Sequence, residues 1–264
     1  MSNIKESHSF HAHLQAQQLQ ALEKRLAIST PPKQFKEVQE SDTSSAGHRE
    51  RLKEKFLKSG FNGFHDYEII ELILFNAIPR RDVKPLAKLL LKTFNTLDAV
   101  FSAPKQDLIK VKGCGDNVYY ILQLFAQTSL MLSRQKLNQA PLLSKWTELE
   151  NYLRLKIGAL THEEFHILFL NAKSYLIDDL KIFRGTVDQT TIYPREILKH
   201  ALECGAVSMV LAHNHPSGDA TPSHADIKLT YQIIQAAQLM NINVIDHIIV
   251  GKYDIKSFRN LNLL

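Results

Sequence analysis

Between residues 165 and 250 short apolar runs alternate with helix-patterned stretches, and this order constrains the fold more tightly than any other feature of the chain. Residues 165–170, 175–183, 207–212 and 244–250 have the apolar, β-branched or aromatic make-up of strands, with a turn at Asn171-Ala-Lys between the first two. Residues 146–160, 194–204 and 223–240 read as helices. Pro194 stands at a first helical position, where its missing N–H costs nothing, and Gly205 stands where the chain leaves that helix. Strands alternating with helices pack as a layered α/β domain, and the crevice between strand ends and helix starts is a common place for a site.

The rest of the chain is patterned differently. With 264 residues and 44% hydrophobic content it is long enough for two compact domains. Residues 1–46 open with a Gln-rich patch and pass through Thr30-Pro-Pro-Lys and Ser41-Asp-Thr-Ser-Ser, the composition of a flexible extension. Residues 47–141 return apolar side chains at helical spacing, from Leu52 and Phe56 to Val100 and Phe101, and predict a small all-α domain. Residues 142–264 hold the α/β pattern. Formal charge separates these segments, at 0, +6 and −1 in order, so a polyanionic partner is expected to meet the middle one. No stretch approaches 18 uninterrupted apolar residues and the N-terminus lacks a secretory apolar core, which predicts a cytoplasmic protein with no membrane contact. Cys114 and Cys204 are too few and too far apart for a disulfide framework.

The residue set with most chemical content is His213-Asn-His-Pro, with Ser223 and Asp226 beyond it. Two imidazoles at i, i+2 project from one side of an extended segment, so both reach one ion. A carboxylate from the next element completes a His, His, Asp set that suits Zn²⁺ with a fourth position left for water. Ser223 and Asp226 also have the spacing of a capping box, after Pro222 and before a helical run. Capping accounts for neither histidine. A structural zinc site would want four protein ligands, preferably with thiolates, which this neighbourhood does not offer.

With Glu163 upstream, His213-x-His215-Pro216 and Ser223-x-x-Asp226 resemble the JAMM (MPN+) metalloprotease motif, and the surrounding residues are similar to its RadC-like branch. The resembling segments are His162-Glu-Glu-Phe-His-Ile-Leu-Phe-Leu-Asn, Gly185-Thr-Val, Tyr193-Pro-Arg-Glu, His213-Asn-His-Pro-Ser-Gly and Asp246-His-Ile-Ile-Val-Gly. The resemblance implies a mixed-sheet α/β domain of cytidine-deaminase-like JAMM/MPN architecture, with Zn²⁺ held by His213, His215 and Asp226. It maps the general base to Glu163. Strand parity puts Glu163 and Glu164 on opposite faces, so only one of them serves. The implied activity is hydrolysis of peptide or isopeptide bonds in a protein or peptide substrate. Zinc lowers the pKa of a water towards ~7, Glu163 takes its proton and later passes it to the leaving amine, and the Ser223 hydroxyl faces the oxyanion. Asn214 alternates away from the histidines and reads as a backbone-holding residue or an exposed one. Pro216 re-aims the chain. Asp246-His247 reads as a pair that orients a ligand or as a buried structural histidine. For His162, His166, His200, His224, and for His8, His11 and His13 near the start, no spacing indicates a ligand.

The alternative function lies in the basic helical segment. Leu108-Ile-Lys-Val-Lys-Gly-Cys-Gly-Asp-Asn-Val-Tyr is similar to a helix-hairpin-helix, in which Gly113 and Gly115 let backbone amides approach a phosphate, with Lys105, Lys110 and Lys112 beside them. DNA contact there would make the protein a repair-linked accessory factor. Asp116 and Asn117 stand where related hairpins often carry a donor or cation, and an acid at a helix start repels phosphate. Arg80-Arg81 and Lys53, Lys55 and Lys58 read equally as solvated faces. A metal nuclease is disfavoured by the near-neutral charge around the histidines, and a zinc nucleobase deaminase by the missing His-x-Glu and Pro-Cys-x-x-Cys signature.

Overall fold

The helical pattern of the middle segment becomes α1 (Ser45–Ser59), α2 (Asp66–Ala77), α3 (Lys84–Phe94), the short α4 (Leu97–Ser102) and α5 (Lys105–Leu108), and the long α6 (Asp116–Leu137) in the computed structural model, which describes residues 45–182 and 193–264. The three N-terminal histidines, the Gln-rich patch and Gly185-Thr-Val lie outside the described residues. Helix boundaries follow local chemistry. The Thr96 side chain accepts from Ala99 N–H to start α4, Pro85 opens α3, and Asn95 leaves α3 with φ at 70°. Leu52, Ile70, Leu74, Leu90, Val100, Leu108, Val118 and Leu122 bury together as the core of these helices. Each fully buried aliphatic side chain of this kind contributes ~1.5–3 kcal/mol.

Helix α7 (Trp146–Ile157), strands β1 (Phe165–Leu170) and β2 (Leu176–Ile182), helix α8 (Pro194–Glu203), strand β3 (Ser208–Asn214), helix α9 (His224–Gln238) and strands β4 (Asn243–Val250) and β5 (Ile255–Ser257) follow. Among the described residues the strands form one mixed sheet in the order β2-β1-β3-β4-β5, with β3 and β4 parallel and the other neighbours antiparallel. The α/β expectation holds. β5 was not anticipated, because three residues are too few to show a period of two.

Both faces of the sheet are covered. Leu149, Tyr152, Leu153 and Ile157 of α7 pack with Leu168, Leu170, Val210, Ala212, Ile248 and Val250. On the other face Ile197 and Ala201 of α8, and Ile233 and Ala237 of α9, pack with Phe165, Ile167, Phe169, Met209 and Leu211. Central strands β1 and β3 are buried along their whole length, which is why their sequences are mostly apolar, not alternating. The parallel β3–α9–β4 unit sends the end of β3 and the start of α9 to the same end of the sheet. That connection carries His213, His215 and Asp226. No helix among the described residues is long and apolar enough to cross a membrane.

Candidate metal centre

His213 sits within β3 on the α8/α9 face, wholly buried, with Phe165 of the neighbouring strand stacked on its ring at 5.7 Å between centroids. His215 lies just past the strand, where its N–H still reaches Val250 O at 3.0 Å and prolongs the β3–β4 ladder. Extended backbone therefore carries both rings to one side. The chain then turns sharply, with Gly218 N–H on His215 O at 2.9 Å and Gly218 itself at φ 93°. Gly251 supports this turn from below: a Cβ on it would stand 2.5 Å from both Gly218 O and Asp254 Oδ1.

Asp226 arrives at the start of α9. Ser223 caps the helix, accepting from Asp226 N–H at 3.1 Å, while the Ser223 N–H and hydroxyl donate to Asp226 Oδ2 at 2.8 and 2.6 Å. The capping box is thus formed, and Asp226 also faces the histidines. Asp226 Oδ1 lies 3.3 Å from His213 Nε2, Asp226 Oδ2 lies 3.4 Å from His215 Nε2, and the two Nε2 atoms are 3.0 Å apart. Donor atoms at tetrahedral angles around zinc, each 2.0–2.1 Å from it, are separated by about 3.3 Å. Among the described residues these side chains form a group able to hold a metal ion. Burial alone would push the Asp226 carboxyl up, but the contacts from His213 and Ser223 outweigh it and hold the group well below the usual carboxylate range. His215 Nδ1 donates to the Asp219 carbonyl at 2.7 Å, which leaves Nε2 as the lone-pair nitrogen facing the cluster. The donor set and its spacing fit a divalent zinc.

Residues 143–263 match the family model described as RadC-like JAB domain. This stretch of the chain is a RadC-like JAB domain. In the JAB domain described here, His213, His215, Ser223 and Asp226 lie together. Glu163 is half-buried immediately before β1, two residues ahead of the phenylalanine stacked on His213.

Asn214, between the two histidines in sequence, points to the other face and grips the segment that carries Glu163. Its Oδ1 accepts from Glu164 N–H at 2.8 Å, and its amide donates to His162 O at 3.0 Å and Leu160 O at 3.5 Å. The Glu163 backbone is held on both sides by one side chain, which is 1% exposed. Glu164 is committed elsewhere, to Lys181, to His162 at 2.8 Å and to His166 at 3.1 Å. Burial would raise the Glu164 carboxyl, but these partners hold it low. His166 continues to Asp179 at 3.1 Å, and Asp179 accepts from Tyr152 and Lys156, each at 2.5 Å. Burial likewise opposes ionisation of Asp179, yet His166, Lys156 and Tyr152 bring it down to about 2.

Behind the centre, His213 Nδ1 lies 2.8 Å from Nε2 of His247 in β4, and His247 Nδ1 lies 2.6 Å from Thr230 Oγ1 of α9. Complete burial, with His213 alongside, depresses the His247 pKa well below the imidazole range and keeps the ring neutral. Of the two readings of Asp246-His247, the buried histidine is the one observed, and the Asp246 side chain does not pair with its ring. Asp246 turns to the opposite face and accepts from Ser257 Oγ at 2.5 Å and Arg259 N–H at 3.0 Å, touching only the backbone N–H of His247. Thr230 and Asp219 carried no motif signal, since each acts through a partner distant in sequence or through backbone.

At the hairpin, Gly113 has φ 94° and Gly115 precedes α6. Lys105 lies 2.7 Å from Asp116 and Lys110 lies 2.7 Å from Asp107, so both ammonium groups face carboxylates. Asn117 donates inward to Ala77 O at 2.5 Å, and Lys112 is exposed.

Proposed function

We propose that this JAB domain is a zinc-dependent hydrolase of peptide or isopeptide bonds. The observation that carries the reading is the convergence of His213 Nε2, His215 Nε2 and the Asp226 carboxylate at separations of 3.0–3.4 Å. His213, His215 and Asp226 would hold the ion as three protein donors, fewer than a closed structural zinc site takes. Zinc, when bound there, supplies a Lewis acid that makes water acidic near neutral pH.

The chain's own residues supply the remainder. Glu163 accepts the proton released as water attacks the carbonyl carbon and returns it to the leaving amine. Two features favour Glu163 over Glu164: Glu164 is occupied by Lys181, His162 and His166, and alternation along the chain puts Glu163 on the face of Phe165 and His213. Asn214 keeps the Glu163 backbone from shifting. In the resting state the Ser223 hydroxyl donates to Asp226; rotation toward a substrate oxyanion is its role in turnover, worth ~3 kcal/mol to the transition state.

This reading is preferred to a DNA-binding accessory role because two of the three lysines offered to phosphate already face aspartates. Metal analysis tests it. About one Zn²⁺ per chain is expected in the wild type and in Glu163→Gln, none in His213→Ala, and cleavage in an unbiased peptide screen only by the wild type. A folded wild-type protein that ignores added zinc refutes the proposal.

A further inference from the structure

Which nitrogen of His213 carries its proton decides whether the centre accepts a cation, and the donors behind it determine the answer. The Thr230 hydroxyl has one hydrogen. It lies 2.6 Å from the backbone carbonyl of Asp226 and 2.6 Å from His247 Nδ1. A carbonyl only accepts, so the hydroxyl hydrogen goes to Asp226 O; otherwise two bare oxygens would face each other at that distance. Thr230 therefore accepts from His247, and the His247 proton is on Nδ1. The His247 ring, wholly buried between the Phe165 and Phe258 rings, is left with a bare Nε2. That nitrogen accepts from His213 Nδ1 at 2.8 Å. The neutral His213 ring then presents Nε2 without a proton to Asp226 and His215. Reversing the chain would place a proton on His213 Nε2, in the space where a cation belongs.

We infer that Thr230 and His247 are positioning residues that lock the His213 tautomer from behind and tie it to the helix that delivers Asp226. The inference rests on the zinc reading for its consequence but not for its geometry. One chain of hydrogen bonds runs from β3 through β4 to α9, so two ligands from separate elements are set by the same hydroxyl. Outer partners of this kind change metal affinity by about 10–100-fold when removed.

Nitrogen-15 histidine NMR of the metal-free full chain reads the tautomers directly, beside zinc affinity from competition with a chromophoric chelator. In the wild type His213 and His247 should both show the Nδ1–H tautomer. Thr230→Val, close in shape but without the hydroxyl, should lose the fixed tautomer and weaken zinc by about 10–100-fold, and Thr230→Ser should restore both. A wild-type His213 protonated on Nε2 with a bare Nδ1 overturns the relay, and so does a folded Thr230→Val variant whose zinc affinity stays within about twofold of wild type. If Thr230→Val does not fold, the wild-type spectrum still decides. A wild type that takes no zinc sinks the hydrolase reading alone, and its metal-free spectrum continues to judge the relay.

Discussion

Replacing Asp179 by Asn is the most quantitative test of how the β1 side of the site is held. The Asp179 side chain is fully buried and accepts from Tyr152, Lys156 and His166 at 2.5, 2.5 and 3.1 Å. Its pKa falls from 3.8 to about 2 on folding. At 1.36 kcal/mol per pKa unit this difference is worth about 2.5 kcal/mol at neutral pH. The sign follows from linkage: a lowered folded-state pKa gives stability that is complete above the unfolded value and is lost as pH falls through the folded one. The gap between wild type and Asp179→Asn should therefore be about 2.5 kcal/mol at pH 7 and about half that at pH 3. Urea unfolding of both proteins across this range, with an m-value of roughly 2–3 kcal/mol/M, should show midpoints about 1 M apart at pH 7 that converge in acid. A gap below ~0.5 kcal/mol, or one that does not change between pH 7 and 3, refutes the assignment of Asp179 as a buried, ionised anchor.

Asn214→Ala leaves Glu164 N–H and His162 O without their partner, so about 1–3 kcal/mol of stability should be lost while zinc is retained and peptide cleavage falls; unchanged melting would count against the clamp. Gly251→Ala drives a Cβ into Gly218 O and Asp254 Oδ1, and should cost about 1–3 kcal/mol and weaken zinc through the displaced Asp219 carbonyl, measured by calorimetry and chelator competition. Stripping the metal should lower the melting temperature: a site filled at about a thousandfold above its dissociation constant adds ~4 kcal/mol. In a compact unit spanning Ser44–Leu264 that corresponds to roughly 8–16 °C by scanning calorimetry, and identical melting of stripped and reloaded protein would contradict the metal site.

Much of the α/β domain was legible because its signals are local. The apolar runs of β1 and β3, Pro194 and Gly205 at the ends of α8, and the capping spacing of Ser223 and Asp226 depend on residues within a turn or two of one another. His213 and His215 were readable for the same reason, since alternation along extended backbone needs no tertiary knowledge. β5 fell below the length at which a period shows.

Tertiary structure alone decided how these residues are supported. That Asn214 reaches back across about fifty positions to hold Glu163, that His247 answers to Thr230 instead of its neighbour Asp246, and that Glu164 is consumed by Lys181 and His166 are consequences of strand order and of the face each side chain takes. Residue types and spacing specify which donors are available and on which side of a strand they stand. Only packing of the sheet against α7 and α9 specifies the partner, because a hydrogen bond is satisfied by whichever group folding brings to ~3 Å.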